Sequence, residues 1–404
     1  MRDERRRVAI TGIGVVSPAG IGVPAFWREV VEARTAIAAV EGIAREGLSP
    51  GIAAQVRNFS AEDHLDRQKA NALDRFSQFA VIAAREALAD SGLDLDRADR
   101  RRIAAVIGTG SGGMHTVDQG YRQLYAEGAA RLHPMTIPRQ MVNAAVSQVC
   151  MDLGLNGEAY CVSTACASGT HAIGQAFRMI RAGDADIAFA GGSESCITPG
   201  VLKAWQALRV MSSEGCRPFS RDRSGMVLGE GAATLILESF DHARKRGAPI
   251  YALIEGFGAT ADAGHLTSPS AEGAARAIQL AMADAGMREV DYINAHGTGT
   301  ALNDASETRA IRLALGTAAE RVMVSSSKGV LGHALGAAGA LEAAVTALAL
   351  HCGLVPPTAG WREADPECDL DVVPNIAREV RIASALSNSF AFGGLNAVLA
   401  FGRA

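Results

Sequence analysis

CVSTACASGTHAIGQAFRMIRAGDADIAFAGG, Cys161 to Gly192, holds one unit of the fold. Small residues surround Cys166, an amphipathic helix runs on to Arg181, Gly183 stops it, and an apolar strand follows from Ile187 to Ala190. The same alternation extends outward in both directions. Val8 to Ile10, Ile103 to Ile107, Tyr251 to Ile254, Tyr292 to Ile293 and Val322 to Val324 read as strands separated by Ala-rich helical stretches. In the clearest helix, Phe76 to Asp90, the residues Phe76, Phe79, Ala80, Ala83, Ala87 and Leu88 share one face, and Gly92 ends it. This pattern predicts an α/β protein with buried strands.

Three short matches recur in one order. ITGIG (10–14) returns as IEGFG (254–258), ALADSGL (87–93) as AMADAGM (281–287), and IGTGSG (107–112) as HGTGT (296–300). Their order predicts two similar βα halves, 1–246 and 247–404, with no Pro/Ser/Gly linker between them. Such halves pack as one body and place a ligand at their junction.

The bulk properties exclude several classes. The 404 residues carry 39 Lys plus Arg against 43 Asp plus Glu, a net charge of -4, which offers nothing to a nucleic acid. The longest apolar run, Ala340 to Leu350, falls short of the ~18–20 residues of a membrane span. The charged start MRDERRR passes directly into a strand without a leader pattern, so no membrane partner and a cytoplasmic location are expected. Seven unpaired-looking cysteines and the lack of a Cys-x-x-Cys pair predict reduced thiols and no metal.

GTGSGG (108–113) formally matches a dinucleotide loop, but no acidic residue ends a second strand where the ribose would need one. Glu127 lies in a helical stretch instead, so the reading is a tight turn. Cys166 is different, because it sits at or just before a helix N-terminus, where free N–H groups favour an anion. The dipole alone, ~0.3–1 kcal/mol when exposed, cannot activate a thiol. The same N–H groups matter more as an oxyanion hole. Taken alone, Cys166 reads as one more small buried hydrophobe. Its company is His296, straight after a strand in NAHGTGT, and His333, between glycines in SSSKGVLGHALG. The other seven histidines lie on polar or helical stretches.

Together TACASG, NAHGTGT, KGVLGH and NSFAFGG resemble the β-ketoacyl-acyl-carrier-protein synthases of the elongating type, and the resemblance runs from Val8 to Phe401. It implies a thiolase-like fold of duplicated βαβαβαβ halves in five αβαβα layers, and a dimer. It implies that Cys166 is the nucleophile that takes the acyl chain, and that His296 and His333 serve the malonyl half-reaction. The N–H groups of Cys166 and Phe392 would form the oxyanion hole. Lys328 and Glu342 match positions that orient the histidines, and read equally as a buried ion pair. Thr298 and Thr300 match residues that hold the pantetheine amide, with loop capping as the plainer reading. Phe392, with Gly393 and Gly394, matches a gate for the acyl chain, and Ser111 and Met226 match the acyl pocket. The implied partner is an acyl carrier protein, in acyl and malonyl forms, which brings its own phosphopantetheine; no other cofactor is expected.

The chain departs from that pattern in places. Ala391 stands for a Gly before the gate and Leu395 for a Thr, Ser224 and Met226 for Asp and Phe, and Ser111 for an aliphatic residue. These changes point to an acyl substrate unlike an ordinary saturated chain, in fatty-acid or specialised polyketide or polyene synthesis. Around the expected carrier contact, Arg67, Lys69 and Arg75 are interleaved with Asp66 and Asp74, with Glu214 nearby, which reads as a solvated face. Two alternatives compete. A non-catalytic chain-length factor would lack the nucleophile, although this chain can itself be the ketosynthase subunit paired with one. A thiolase using coenzyme A would carry a second Cys where His333 stands.

Overall fold

The glycine pairs of the internal repeat are packing devices. In the computed structural model, which describes residues 6–43 and 47–404, Gly12 and Gly14 lie inside the first strand. A Cβ on them would stand 2.4 Å from the Ala87 carbonyl oxygen and 2.0 Å from that of Ala83. Gly256 and Gly258 meet the Ala281 and Ala277 oxygens in the same way, at 2.3 and 2.2 Å. Only glycine lets a helix lie that close to a strand. The same glycines hide the strand from a propensity reading, so the first strand runs from Val8 to Ser17 rather than stopping at Ile10. The charged residues 1–5, read above as lacking a leader, lie outside the described residues.

Ten strands form the path of the main sheet: β1 (Val8–Ser17), β2 (Ile103–Gly108), β3 (Ala159–Val162), β4 (Ile187–Glu194), β5 (Gly231–Ser239), β6 (Ala252–Ala261), β7 (Tyr292–Asn294), β8 (Met323–Ser325), β9 (Ser384–Ala391) and β10 (Leu395–Gly402). Their spatial order is β8-β7-β9-β10-β6-β1-β5-β4-β2-β3. Read outward from the middle, β1-β5-β4-β2-β3 and β6-β10-β9-β7-β8 are the same half twice. In each half the first two neighbour pairs are antiparallel and the last two parallel. The halves join through antiparallel pairing of Val8 with Ile254 and Ile10 with Ala252.

Six helices matter here: α1 (Arg75–Ser91), α2 (Ser168–Ala182), α3 (Pro199–Ala207), α4 (Ala271–Ala285), α5 (Ala301–Leu315) and α6 (Ala338–Cys352). α1 packs on β1 and β5, and α4 on β6 and β10, so each covers the outside of its own half. α2 and α6 touch each other and strands of both halves. They form the middle of an α/β/α/β/α stack, the five layers expected. α6 is buried from Ala338 to Leu350. Residues 335–352 are long and apolar enough to cross a membrane, yet 89% of them are buried inside the protein, as the central layer requires.

The turn of GTGSGG is a turn, with Gly112 at φ +71. Its backbone N–H groups are already occupied by the protein's own anion: Gly110 and Ser111 donate to the Glu194 carboxylate at 2.6 and 3.1 Å, with Gly336 at 3.0 Å. A phosphate has no place there.

Candidate active site

Cys166 stands on a sharp strand-to-helix corner. Ala165 is held at φ +49, a left-handed conformation that costs a residue with a Cβ. α2 begins two residues after the cysteine, at Ser168. Ser168 secures the corner by donating to the Ala165 oxygen at 2.6 Å and accepting from the Thr164 N–H at 2.9 Å. The Phe392 N–H, in the turn after β9, favours the Cys166 thiolate, while burial pushes the thiol up to about 12. The Lys328 ammonium and that N–H pull it back, while the Glu194 and Glu342 carboxylates push it further.

The two histidines arrive from the other half. His296 follows β7 in a loop whose Gly297 and Gly299 take φ +35 and +75. Glu307 of α5, fully buried, accepts the N–H groups of His296 and Gly297 at 2.8 and 2.7 Å and pins that loop. His333 donates its backbone N–H to the Val227 oxygen at 2.7 Å. The two imidazoles meet edge to face at 5.3 Å, and a nitrogen of each lies with the Cys166 sulfur in a cluster no more than 4.8 Å across. Cysteine and histidine are also zinc donors, but the Lys328 ammonium, 3.5 Å from His296 Nδ1, opposes a cation. The trio suits an organic carbonyl better.

Lys328 is buried and joins the Glu342 carboxylate, the His296 carbonyl oxygen and His296 Nδ1. Its donation to Nδ1 leaves the His296 proton on Nε2. Both readings of Lys328 and Glu342 are therefore met at once: the pair is buried, and one member touches the histidine. Burial and the Lys328 charge hold both imidazoles well below 6.5, so they are neutral N–H donors at neutral pH. A base with a lowered pKa takes its proton only when the pH falls below that lowered value. Turnover that depends on these neutral rings is therefore expected to stay level as pH falls from about 8 to 6; a pH–rate profile breaking near 6.5 would contradict the assignment. Lys328→Ala strands a buried carboxylate and should cost about 3–5 kcal/mol in a denaturant titration. It should also move the acid limb of the profile upward.

A cavity of about 300 Å³ opens onto the trio. Thr298, Thr300, Met226, Phe392 and Gly394 line it with Cys166, His296 and His333. Thr298 and Thr300 share a hydroxyl hydrogen bond of 2.9 Å, and Thr300 also caps α5, so capping and lining coexist. Gly393 is at the exposed tip of its turn and does not line the cavity. Ser111 lies outside this cavity, with its backbone N–H held by Glu194. Ala391 ends β9 without a positive φ, so its methyl group imposes no backbone cost. Of the charges near the expected carrier contact, Lys69 pairs with Asp152 and Arg75 with Glu230, while Asp66 and Asp74 cap helices. Internal pairing and capping explain the interleaving.

Sequence reasoning missed four contributors. Glu307 and the largely buried Arg223, which donates to the Thr300 oxygen at 3.3 Å, hold the histidine loop. Trp205 of α3 and the loop 265–269, with His265, line the cavity. Only Glu307 left a signal, an acidic residue eleven positions after the histidine on the following helix.

Family models for the β-ketoacyl synthase N-terminal domain and C-terminal domain match residues 5–243 and 251–362. The chain belongs to the β-ketoacyl synthase family. This synthase is 48% identical to nodulation protein E of Rhizobium sp. (strain N33), over 98% of this chain and 99% of that protein. It is 43% identical to 3-oxoacyl-[acyl-carrier-protein] synthase 2 of Staphylococcus aureus (strain COL), over 99% of each. Among solved structures, the ishigamide ketosynthase/chain length factor superposes with a TM-score of 0.94 at 37% identity, over 99% of this chain and 100% of that one. The synthase is thus a condensing acyltransferase with a thiolase-like fold.

Proposed function

We propose that this synthase transfers an acyl chain from an acyl carrier protein to Cys166 and condenses it with malonyl carrier protein to give a 3-oxoacyl product. The observation that carries the proposal is the convergence of a corner thiol and two neutral imidazoles on one cavity. In the first step the thiol proton passes to an imidazole nitrogen, the sulfur bonds to the acyl carbon, and the carrier's pantetheine leaves as a thiol with that proton. The Cys166 and Phe392 N–H groups face the oxyanion of this step. In the second step the malonyl C–CO₂ bond breaks, and the enolate oxygen is held by the N–H groups of His296 and His333. The enolate carbon then attacks the acyl carbonyl, and Cys166 leaves as the thiolate, which takes a proton from solvent to restore the resting thiol. Lys328 and Glu342 orient His296, and Thr298 and Thr300 meet the pantetheine amide. No cofactor beyond the carrier's phosphopantetheine is called for.

The carrier would approach the mouth of the cavity, where exposed Arg209 can meet its phosphate. A second interface is implied at the opposite end of the sheet. There the edge strand β3 lies close in sequence to the exposed apolar side chains Tyr121, Tyr125, Ile137 and Met151. A second ketosynthase-like chain, as a copy or as a chain-length factor, fits that face. Two readings of the pathway remain, and similarity to nodulation protein E favours a specialised product. The test is a panel of acyl primers and malonyl carriers read by mass spectrometry. Release of CO₂ and a product longer by two carbons are expected; turnover without a malonyl donor would refute the reaction.

A further inference from the structure

Glu194 is a buried carboxylate that takes no part in the condensing steps above. It ends β4, is fully shielded from solvent, and lies where segments of the two halves meet. From the first half the Gly110 and Ser111 N–H groups donate to it at 2.6 and 3.1 Å, and the Thr109 hydroxyl at 3.0 Å. From the second half the Gly336 N–H donates at 3.0 Å. Burial pushes the carboxyl up to about 7, against the pull of these donors.

Both sets of donors lead to the reacting groups. The Thr109 carbonyl oxygen accepts at 3.3 Å from the hydroxyl of Ser168, the residue that secures the Cys166 corner. Gly336 stands three residues after His333, in a turn whose Leu335 is held at φ +45. Where these two segments meet, no side chains interlock. A Cβ on Gly336 would stand 2.2 Å from the Gly110 nitrogen, and one on Gly192 2.7 Å from the Gly336 oxygen. Backbone lies on backbone, so hydrogen bonds set the spacing, and the Glu194 carboxylate takes them from both sides. The imidazoles have anchors of their own, His296 through Glu307 and His333 through its backbone bond to Val227.

Building on the condensing reaction above, we propose that Glu194 is a positioning residue: its carboxylate sets the distance between the Cys166 corner and the His333 segment, so that the enolate forms within reach of the acyl carbon. A misplacement of about 1 Å slows such a transfer roughly 100-fold. Each half-reaction keeps its own groups, so malonyl thioester still loses CO₂. An enolate formed out of reach takes a proton from solvent and leaves as acetyl thioester. The signature is CO₂ released without a matching 3-oxoacyl product.

The test uses the full-length wild type, Glu194→Gln and Thr109→Val with acyl carrier protein loaded with hexanoyl and malonyl groups. CO₂, acetyl and 3-oxoacyl products are counted, and single-turnover acylation of Cys166 is followed by intact mass. Glu194→Gln keeps the shape but turns one oxygen into an amide nitrogen, which cannot accept the N–H groups facing it. Its ratio of CO₂ to 3-oxoacyl product should rise at least about fivefold over wild type, with acylation of Cys166 within about threefold. Thr109→Val removes a single donor and should raise the ratio by roughly two- to threefold. A wild-type ratio in Glu194→Gln, with product lost in step with acylation, is what a merely structural role would give and overturns the positioning. If Glu194→Gln does not fold, a wild-type ratio in Thr109→Val overturns it instead. A wild type that forms no 3-oxoacyl product overturns the condensing reaction itself, a separate result from an unchanged ratio in a variant.

Discussion

Cys166→Ala is expected to eliminate the acyl-enzyme and to lower condensation by about 10⁴- to 10⁶-fold, the scale on which removal of a covalent nucleophile acts. The fold should survive, because the corner is secured by Ser168 and by the backbone of Ala165 rather than by the sulfur. The variant should still decarboxylate malonyl thioester slowly, since both imidazoles and Lys328 remain in place. Intact mass with an acyl donor and CO₂ release with malonyl donor alone separate the two losses. Acyl label persisting on the variant would move the nucleophile elsewhere.

His296→Ala and His333→Ala should divide the reaction the other way. Each removes one N–H donor from a developing enolate, worth about 10²- to 10³-fold in turnover. The Cys166 and Phe392 N–H groups that face the acyl oxyanion remain in both variants, so single-turnover acylation should fall far less than condensation. The His333 variant is the cleaner of the two, because His296 also sits against Lys328 and its loss leaves that ammonium facing the cavity. Equal losses in both half-reactions would mean that the histidines act mainly on the thiol.

The sequence was most legible where chemistry or duplication repeats. IEGFG and AMADAGM echo ITGIG and ALADSGL because each helix needs the same pair of glycines to seat on its strand. The C-terminal stop at Gly92 and the one at Gly183 were readable for a local reason, a left-handed cap. The convergence of Cys166, His296 and His333 was legible only through the motifs TACASG, NAHGTGT and KGVLGH together, since each residue alone sits in an ordinary loop of small residues beside a strand or helix end. What could not be read was whatever depends on two distant loops meeting. Trp205 looks like an ordinary helical aromatic until the β9–β10 turn places Phe392 on it. Charges behave alike: Lys69 and Arg75 read as a surface stripe, although each reaches inward to a carboxylate supplied by another element.

The most direct test of the account is the structure of the Cys166-acylated enzyme with a malonyl thioester analogue whose carboxylate is replaced by a sulfonate, so that it cannot decarboxylate, in which the distances from each imidazole nitrogen to the analogue's carbonyl oxygen are measured. The account predicts that both His296 and His333 lie within about 2.7–3.1 Å of that oxygen. Either ring turned away from it, with the acyl group still on Cys166, would contradict the shared-carbonyl mechanism.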